Sequence, residues 1–267
     1  MKAFRPWWTI DLYSGRPVLG EAAAFRACSR FVAGVLRQGS ALPHRLCVPM
    51  FIGETGIPFD LGVRHSLPSL TGVPGWLFCR FGLKAQLERS PHDLCAPLMA
   101  LERTLGVLEA NLASFTLWNY TPEHTSAHGD GWNGEDLSIY SPDRRTDPAD
   151  LHSGGRALPA LVRPYARKVA GTPRYMRFDS ADPERTFTFI FTHAEGVQAP
   201  TEIYVPHYQY PNGAVEVDVS DGEYFWTSRD NPQTDEKYTE FQQQTLFYTH
   251  GTHCSEHRIT LKLKYRR

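Results

Sequence analysis

No stretch of about 18 consecutive apolar residues occurs in the sequence, so no segment reads as a transmembrane helix. Positive charge is not in excess either. Lys and Arg total 28 against 29 Asp and Glu, for a net charge of −1, and a nucleic-acid partner held by bulk charge is not expected. Cysteine is sparse: five residues, an odd number, with no C-x-x-C spacing. That excludes a disulfide framework and fits reduced thiols in a reducing, cytoplasmic compartment. The opening MKAFRPWWTIDLYSGRP lacks the continuous apolar stretch of a secretory signal. What remains is a chain of 267 residues, 41% hydrophobic and 12% aromatic, enough for one or two domains with their own cores.

Hydrophobic periodicity divides the chain in two. Residues 20–37 place Ala24, Cys28, Phe31, Val32 and Val35 at helical spacing, with Gly39 as a stop signal. Residues 46–52 form an apolar run without polar alternation, the pattern of a strand buried on both faces. A second helix is predicted over 90–110, where Leu98, Leu101, Leu105 and Leu108 form a stripe, and a second apolar strand over 114–120. This is α/β order. Residues 121–156 have loop composition. Beyond them the period becomes two, as in Phe187 and Phe189, in Val215, Val217 and Val219, and in Ile259, Leu261 and Leu263. With 174–179, 201–206, 223–227 and 244–250 this makes about seven short strands, the signature of an antiparallel β-sandwich. The expected domains are 1–155 and 156–267.

Chemistry concentrates where the apolar strands end. Glu54 follows the first, between Gly53 and Gly56, which allow close backbone approach to a ligand. Ligands of α/β folds bind at the carboxyl ends of strands, and a carboxylate there costs free energy unless it is paired or used. An acidic residue opening a surface loop gives the same local pattern. Trp118, Asn119 and Tyr120 end the second strand, where an indole can stack on a sugar face or simply pack in a core. The following Gly-, Trp- and carboxylate-rich loop, with His124, Asp130, Trp132, Glu135 and Asp136, suits a sugar site or an inter-domain latch. His250, His253, Cys254 and His257 are dense enough for zinc. They sit between two predicted strands, however, so the segment is read as a solvated hairpin loop with diverging side chains, and no metal is expected.

These segments carry a resemblance. FIGETGIP at 51–58 resembles the seventh-strand motif of glycoside hydrolase family 5, in its branch of endoglycoceramidases, fungal β-glucosylceramidases and steryl-β-glucosidases. FTLWNY at 115–120 resembles the eighth strand of that family and DGWNGEDLSI at 130–139 the loop after it. RPY at 163–165, AGTP at 170–173 and PTEIYVP at 200–206 resemble its C-terminal β-sandwich. The resemblance implies the end of a (β/α)8 TIM barrel followed by that sandwich. It implies a retaining β-glycosidase acting on glucosylceramide or steryl glucoside without metal or cofactor. Glu54 matches the nucleophile, Trp118 the sugar platform, and Asn119, Trp132 and Glu135 residues lining the site.

The chain departs from the family in two places. The second catalytic carboxyl belongs to an Asn-Glu pair upstream of the nucleophile, and no such pair occurs among the 53 residues before Glu54. A complete barrel takes about 250 residues, more than residues 1–155 supply. The chain is therefore expected to be the C-terminal portion of a glycosidase, with the missing barrel half lying upstream or on a second chain. A non-catalytic carbohydrate- or lipid-binding module and an inactive partial product fit the same gap. Residues 61–82 are longer than the corresponding connection in relatives, as either a lid loop or a translated intron. Tyr204, Tyr208, Tyr210, Phe225 and Trp226 are read mainly as sandwich core, with contact to a lipid aglycone or membrane surface as the alternative.

Overall fold

The alternating second half of the sequence dictates the better-defined architecture. In a computed structural model, residues 8–10, 17–19, 21–46, 49–59, 95–132, 134–150, 152–211, 214–228 and 244–264 are described. The stretch 61–82 lies outside them. The chain divides into two units. The first comprises Met1–Gly39, Phe51–Thr104 and Phe115–Leu158; the second comprises Ser40–Met50, Leu105–Ser114 and Pro159–Arg267.

The first unit begins with a short antiparallel pair, β1 (Trp8–Ile10) and β2 (Pro17–Leu19), followed by helix α1 (Glu21–Leu46). Gly39 does not stop this helix, which continues to Leu46. A glycine inside a helix costs only about 1 kcal/mol, less than the packing of the rest can supply. The buried face is also only partly the expected one. Ala27 and Leu36 are buried, Phe31 and Val32 half-buried, and Val35 is 49% exposed.

Strand β3 (Phe51–Thr55) and strand β4 (Ser114–Leu117) form a two-stranded sheet. Ser114 N donates to Met50 O at 3.0 Å, and Trp118 N donates to Thr55 O at 2.8 Å. The two bonds advance in the same direction along both chains, so the strands run parallel. Helix α2 (Cys95–Ala110) lies between them in sequence, with Leu101, Leu105 and Leu108 of the expected stripe buried. β3 starts later than expected and is not buried on both faces: Phe51 is 62% exposed. A sheet of two strands has no neighbours to cover it. The described residues hold this one parallel pair, and the remaining strands of a (β/α)8 barrel are not among them.

The second unit is the β-sandwich. After the short helix α3 (Leu158–Leu161), eight strands follow: β5 (Tyr165–Lys168), β6 (Gly171–Phe178), β7 (Phe187–His193), β8 (Thr201–Val205), β9 (Val215–Val219), β10 (Glu223–Ser228), β11 (Gln244–Thr249) and β12 (Glu256–Leu263). They form two antiparallel sheets in the orders β10-β11-β8-β5 and β6-β7-β12-β9. Phe187, Phe189, Phe191, Ile259 and Leu261 from one sheet pack with Ile203, Val205, Leu246 and Tyr248 from the other in a single core. Each has its inward face on alternate residues, as period two requires. The sequence reading missed β5, a strand of four residues with only Ala166 turned toward the core.

The sandwich aromatics separate by position. Tyr210 is core, with its hydroxyl donating to Arg185 O at 2.7 Å. Phe225 and Trp226, with Tyr224, are exposed on the edge strand β10, where Phe225 stacks on Phe247. Among the described residues no helix is long and apolar enough to cross a membrane.

Candidate functional site

The parallel pair in the first unit brings the sequence candidates together. Because Trp118 N bonds Thr55 O, Trp118 leaves β4 beside the residue that follows Glu54 on β3. The Thr116 hydroxyl donates to Gly53 O and ties the same strands from the side. Glu54 is exposed and lies at the carboxyl end of its strand.

Gly56 is needed for a reason the sequence did not reveal. A Cβ there would lie 2.0 Å from Trp118 O and 3.4 Å from a methyl of Leu137. The close approach is made by the protein's own backbone, and nothing lies within 4 Å of a Cβ at Gly53. Gly56→Ala is therefore expected to push Trp118 away from β3 at a cost of about 1–3 kcal/mol. Thermal melting and tryptophan fluorescence check this. Gly53→Ala, with open space around it, serves as the control.

The loop after β4 returns over the two strand ends. Phe59 N donates to Asp136 O at 2.6 Å, and Ile139 N donates to Asn119 O at 2.9 Å. Trp132 is 44% exposed and meets Trp118 edge to face, with ring centroids 5.7 Å apart. The peptide between Trp118 and Asn119 is cis. The Asn119 amide donates to Asp130 Oδ2 at 2.9 Å, and its oxygen accepts from the Thr121 hydroxyl at 3.0 Å. One amide hydrogen and one lone pair are left for a ligand. Gly129 permits the turn: at φ +61°, a Cβ would strike Glu135 O at 2.1 Å.

Glu135 differs from its neighbours. Its Oε2 is buried and has no hydrogen-bond partner among the described residues. A buried acceptor without a donor costs about 1–3 kcal/mol, more when charged, so the position suits a hydroxyl supplied from outside the described residues.

The residues that hold this loop were not singled out individually in the sequence. His124, Asp130 and Arg156 are buried, and Arg156 Nη1 donates to Asp136 Oδ1 at 2.6 Å and to Ser138 O at 3.0 Å. His124 lies between Asp136 Oδ1 at 2.9 Å and the Ser141 hydroxyl at 2.7 Å. The guanidinium also covers the Phe59 ring at 4.0 Å. The only signal in the sequence was the density of carboxylates and a histidine in a glycine-rich stretch. Pairing across 32 residues, from His124 to Arg156, is not visible to a local pattern.

The loop continues to Asp143. Partial burial raises its carboxyl, but hydrogen bonds from the Ser141 hydroxyl and from Ser126 N (2.7 Å) outweigh this and bring it from 3.8 to about 2. A carboxyl lowered by folding stabilises the protein above its unfolded value. That contribution is lost as pH falls from 3.8 through about 2. Thermal melting across this window is expected to fall less steeply in Asp143→Asn than in the parent.

In the His250-to-His257 segment, residues 252–256 are exposed, as a solvated loop requires, but the loop joins strands of different sheets rather than closing a hairpin, and His257 does not diverge into solvent. His257 belongs to β12, is 0% exposed, and lies 2.8 Å from Asp221 Oδ1 and 2.9 Å from His193 Nδ1.

Comparison with known proteins places both units in context. Residues 163–261 match the glycoside hydrolase family 5 C-terminal domain. The chain is 36% identical over 187 residues to a glucosylceramidase of Rhizopus delemar, covering 65% of this chain and 24% of that protein. It is 24% identical over 265 residues to an ergosteryl-beta-glucosidase of Saccharomyces cerevisiae, covering 79% of this chain and 32% of the relative. The crystal structure of Cryptococcus neoformans sterylglucosidase 1 superposes on 96% of this chain and 35% of its own, with a TM-score of 0.67 at 23% identity, a likeness of fold. The chain thus spans between 24% and 35% of the length of these relatives.

Proposed function

We propose that this chain, which matches the glycoside hydrolase family 5 C-terminal domain over residues 163–261 and is similar to a glucosylceramidase and an ergosteryl-beta-glucosidase, contributes the nucleophile side of a retaining β-glucosidase acting on glucosylated lipids. The observation that carries this reading is the pairing of β3 with β4. The Trp118-to-Thr55 hydrogen bond brings the backbone of Trp118 beside the residue that follows the exposed Glu54, at the carboxyl ends of parallel strands. Residues 1–155 are the barrel side of the enzyme and 156–267 its sandwich domain.

In this reaction the Glu54 carboxylate attacks the anomeric carbon while a second carboxyl, about 5–5.5 Å away, protonates the departing oxygen. The glycosyl ester so formed is cleaved by water, which loses its proton to that second group. Glucose leaves and Glu54 is restored as a carboxylate. Trp118 stacks on the apolar face of the sugar, with Trp132 closing on its edge. Glu135 Oε2 accepts from a sugar hydroxyl, and Asn119 holds the loop while offering its remaining amide hydrogen. No cofactor enters the scheme. The acid/base carboxyl comes from sequence outside these residues, because no Asn-Glu pair precedes Glu54. The exposed aromatic edge of β10 is a surface for the lipid or its membrane.

A 2-deoxy-2-fluoro-β-glucoside with a good leaving group tests the reading in the native protein isolated from its source. Label on the peptide carrying Glu54 is expected, in a protein heavier than 30.2 kDa. Label elsewhere, or a native chain starting at Met1 that takes no label, overturns it in favour of a non-catalytic binding module.

A further inference from the structure

At one end of the sandwich, Asp221 follows β9 and Cys254 precedes β12, on two of the connections that carry the chain from sheet to sheet. Cys254 Sγ lies 3.6 Å from Asp221 Oδ2 and 3.7 Å from His257 Nδ1. A tetrahedral zinc ion with Zn–S near 2.3 Å and Zn–N or Zn–O near 2.0–2.2 Å requires its donors about 3.3–3.7 Å apart. Only the contact between His257 Nδ1 and Asp221 Oδ1, at 2.8 Å, is shorter, and it is a hydrogen bond whose proton a cation replaces. We propose that Asp221, Cys254 and His257 form a binding site for a zinc-class divalent cation, with three protein ligands and a fourth position open to solvent.

The surroundings have what such a site needs. His257 is fully buried, so its ring is held in place, whereas Cys254 is exposed and gives the ion a way in. Ligation through Nδ1 puts the His257 proton on Nε2, which then donates to His193 Nδ1 at 2.9 Å, an outer partner of the kind that orients ligating histidines. His193 is itself stacked on His250, with centroids 4.7 Å apart. One thiolate and one carboxylate balance a doubly charged ion. Binding releases the thiol proton, and the metal joins the two crossing connections across the end of the sandwich.

The other group of three close metal-ligating side chains among the described residues shows the contrast. His124, Asp130 and Asp136 are equally close, but the Arg156 guanidinium already stands among them, 2.6 Å from Asp136 Oδ1. A protein cation fills that place. No cationic side chain bonds to the Asp221 carboxylate beyond His257 itself among the described residues.

The test uses the full chain, stripped with a chelator and titrated with zinc alone, then with cobalt. One zinc per chain, a rise in melting temperature, and a thiolate-to-cobalt charge-transfer band are expected. Cys254→Ser, at an exposed position that leaves folding intact, should lose the band and weaken zinc binding by at least about a hundredfold. Asp221→Asn should weaken binding as well. It also loses a hydrogen bond to Tyr248, so its melting temperature without metal is measured alongside. Absence of saturable zinc uptake, or zinc affinity and a cobalt band unchanged in Cys254→Ser, overturns the proposal.

Discussion

In the proposed reaction, Glu54→Gln is expected to lower kcat by about 10⁴-fold or more, while leaving substrate binding nearly intact. The amide keeps the size and hydrogen-bonding capacity of the carboxylate but cannot form the glycosyl ester. Glu54 is exposed, so the melting temperature should stay within the small range typical of surface substitutions, about 0.5 kcal/mol in stability. Loss of turnover therefore cannot be attributed to unfolding. Replacement by glycine adds a diagnostic. A small anion such as azide, entering where the carboxylate stood, should restore turnover and yield a glucosyl azide of inverted configuration. If Glu54→Gln turns over β-glucosides like the parent, Glu54 is not the nucleophile.

Glu109→Ala is expected to destabilise the sandwich unit by about 3–5 kcal/mol, the usual consequence of leaving a buried charge unpaired. For a protein of this size that is on the order of 10 °C in melting temperature. Glu109, near the end of α2, and Arg163 are both buried. Arg163 Nη2 donates to Glu109 Oε2 at 2.8 Å and to Phe178 O at 2.7 Å, while Phe178 N donates to the same Glu109 oxygen at 3.0 Å. Nη1 reaches Ala160 O at 3.1 Å, and the guanidinium lies over the Phe178 ring at 5.0 Å. Alanine removes the carboxylate that the guanidinium and the Phe178 amide share in a dry setting. The double substitution Glu109→Leu with Arg163→Met removes both charges, so it should recover much of the loss. Additive losses in the double variant would mean that the pair is not coupled.

Legibility differed sharply between the two units. The strands of the sandwich were readable because one face of each is buried and period two records that directly, as in Phe187, Phe189 and Phe191 of β7. β5 escaped because a four-residue strand with a single inward residue carries no alternation to detect. The ends of α1 and β3 were misplaced because a glycine and an apolar run are weak local signals which neighbouring structure overrides.

The site was legible in part. Glu54, Trp118 and the loop bearing Trp132 and Glu135 stood out by residue type and by their place after apolar strands. Their common location required the parallel register of β3 and β4. The clamp formed by His124, Asp136 and Arg156 required contacts across tens of residues, and Gly56 owed its importance to a carbonyl on the neighbouring strand rather than to a ligand. The exposed loop at 252–256 follows from its local sequence, whereas the burial of His257 does not. Asp221, 36 residues before His257, is what draws the cluster together.

By itself, then, the sequence determined the residue types at the strand ends, the change from α/β to antiparallel β, and the family motifs, all of which are written in short runs of neighbouring residues. Only the tertiary structure decided which glycine the backbone needs, which carboxylates are bound to the protein's own cations and which acceptor remains open. Those depend on groups distant in sequence meeting within a few ångströms, where hydrogen bonding and burial set their energy.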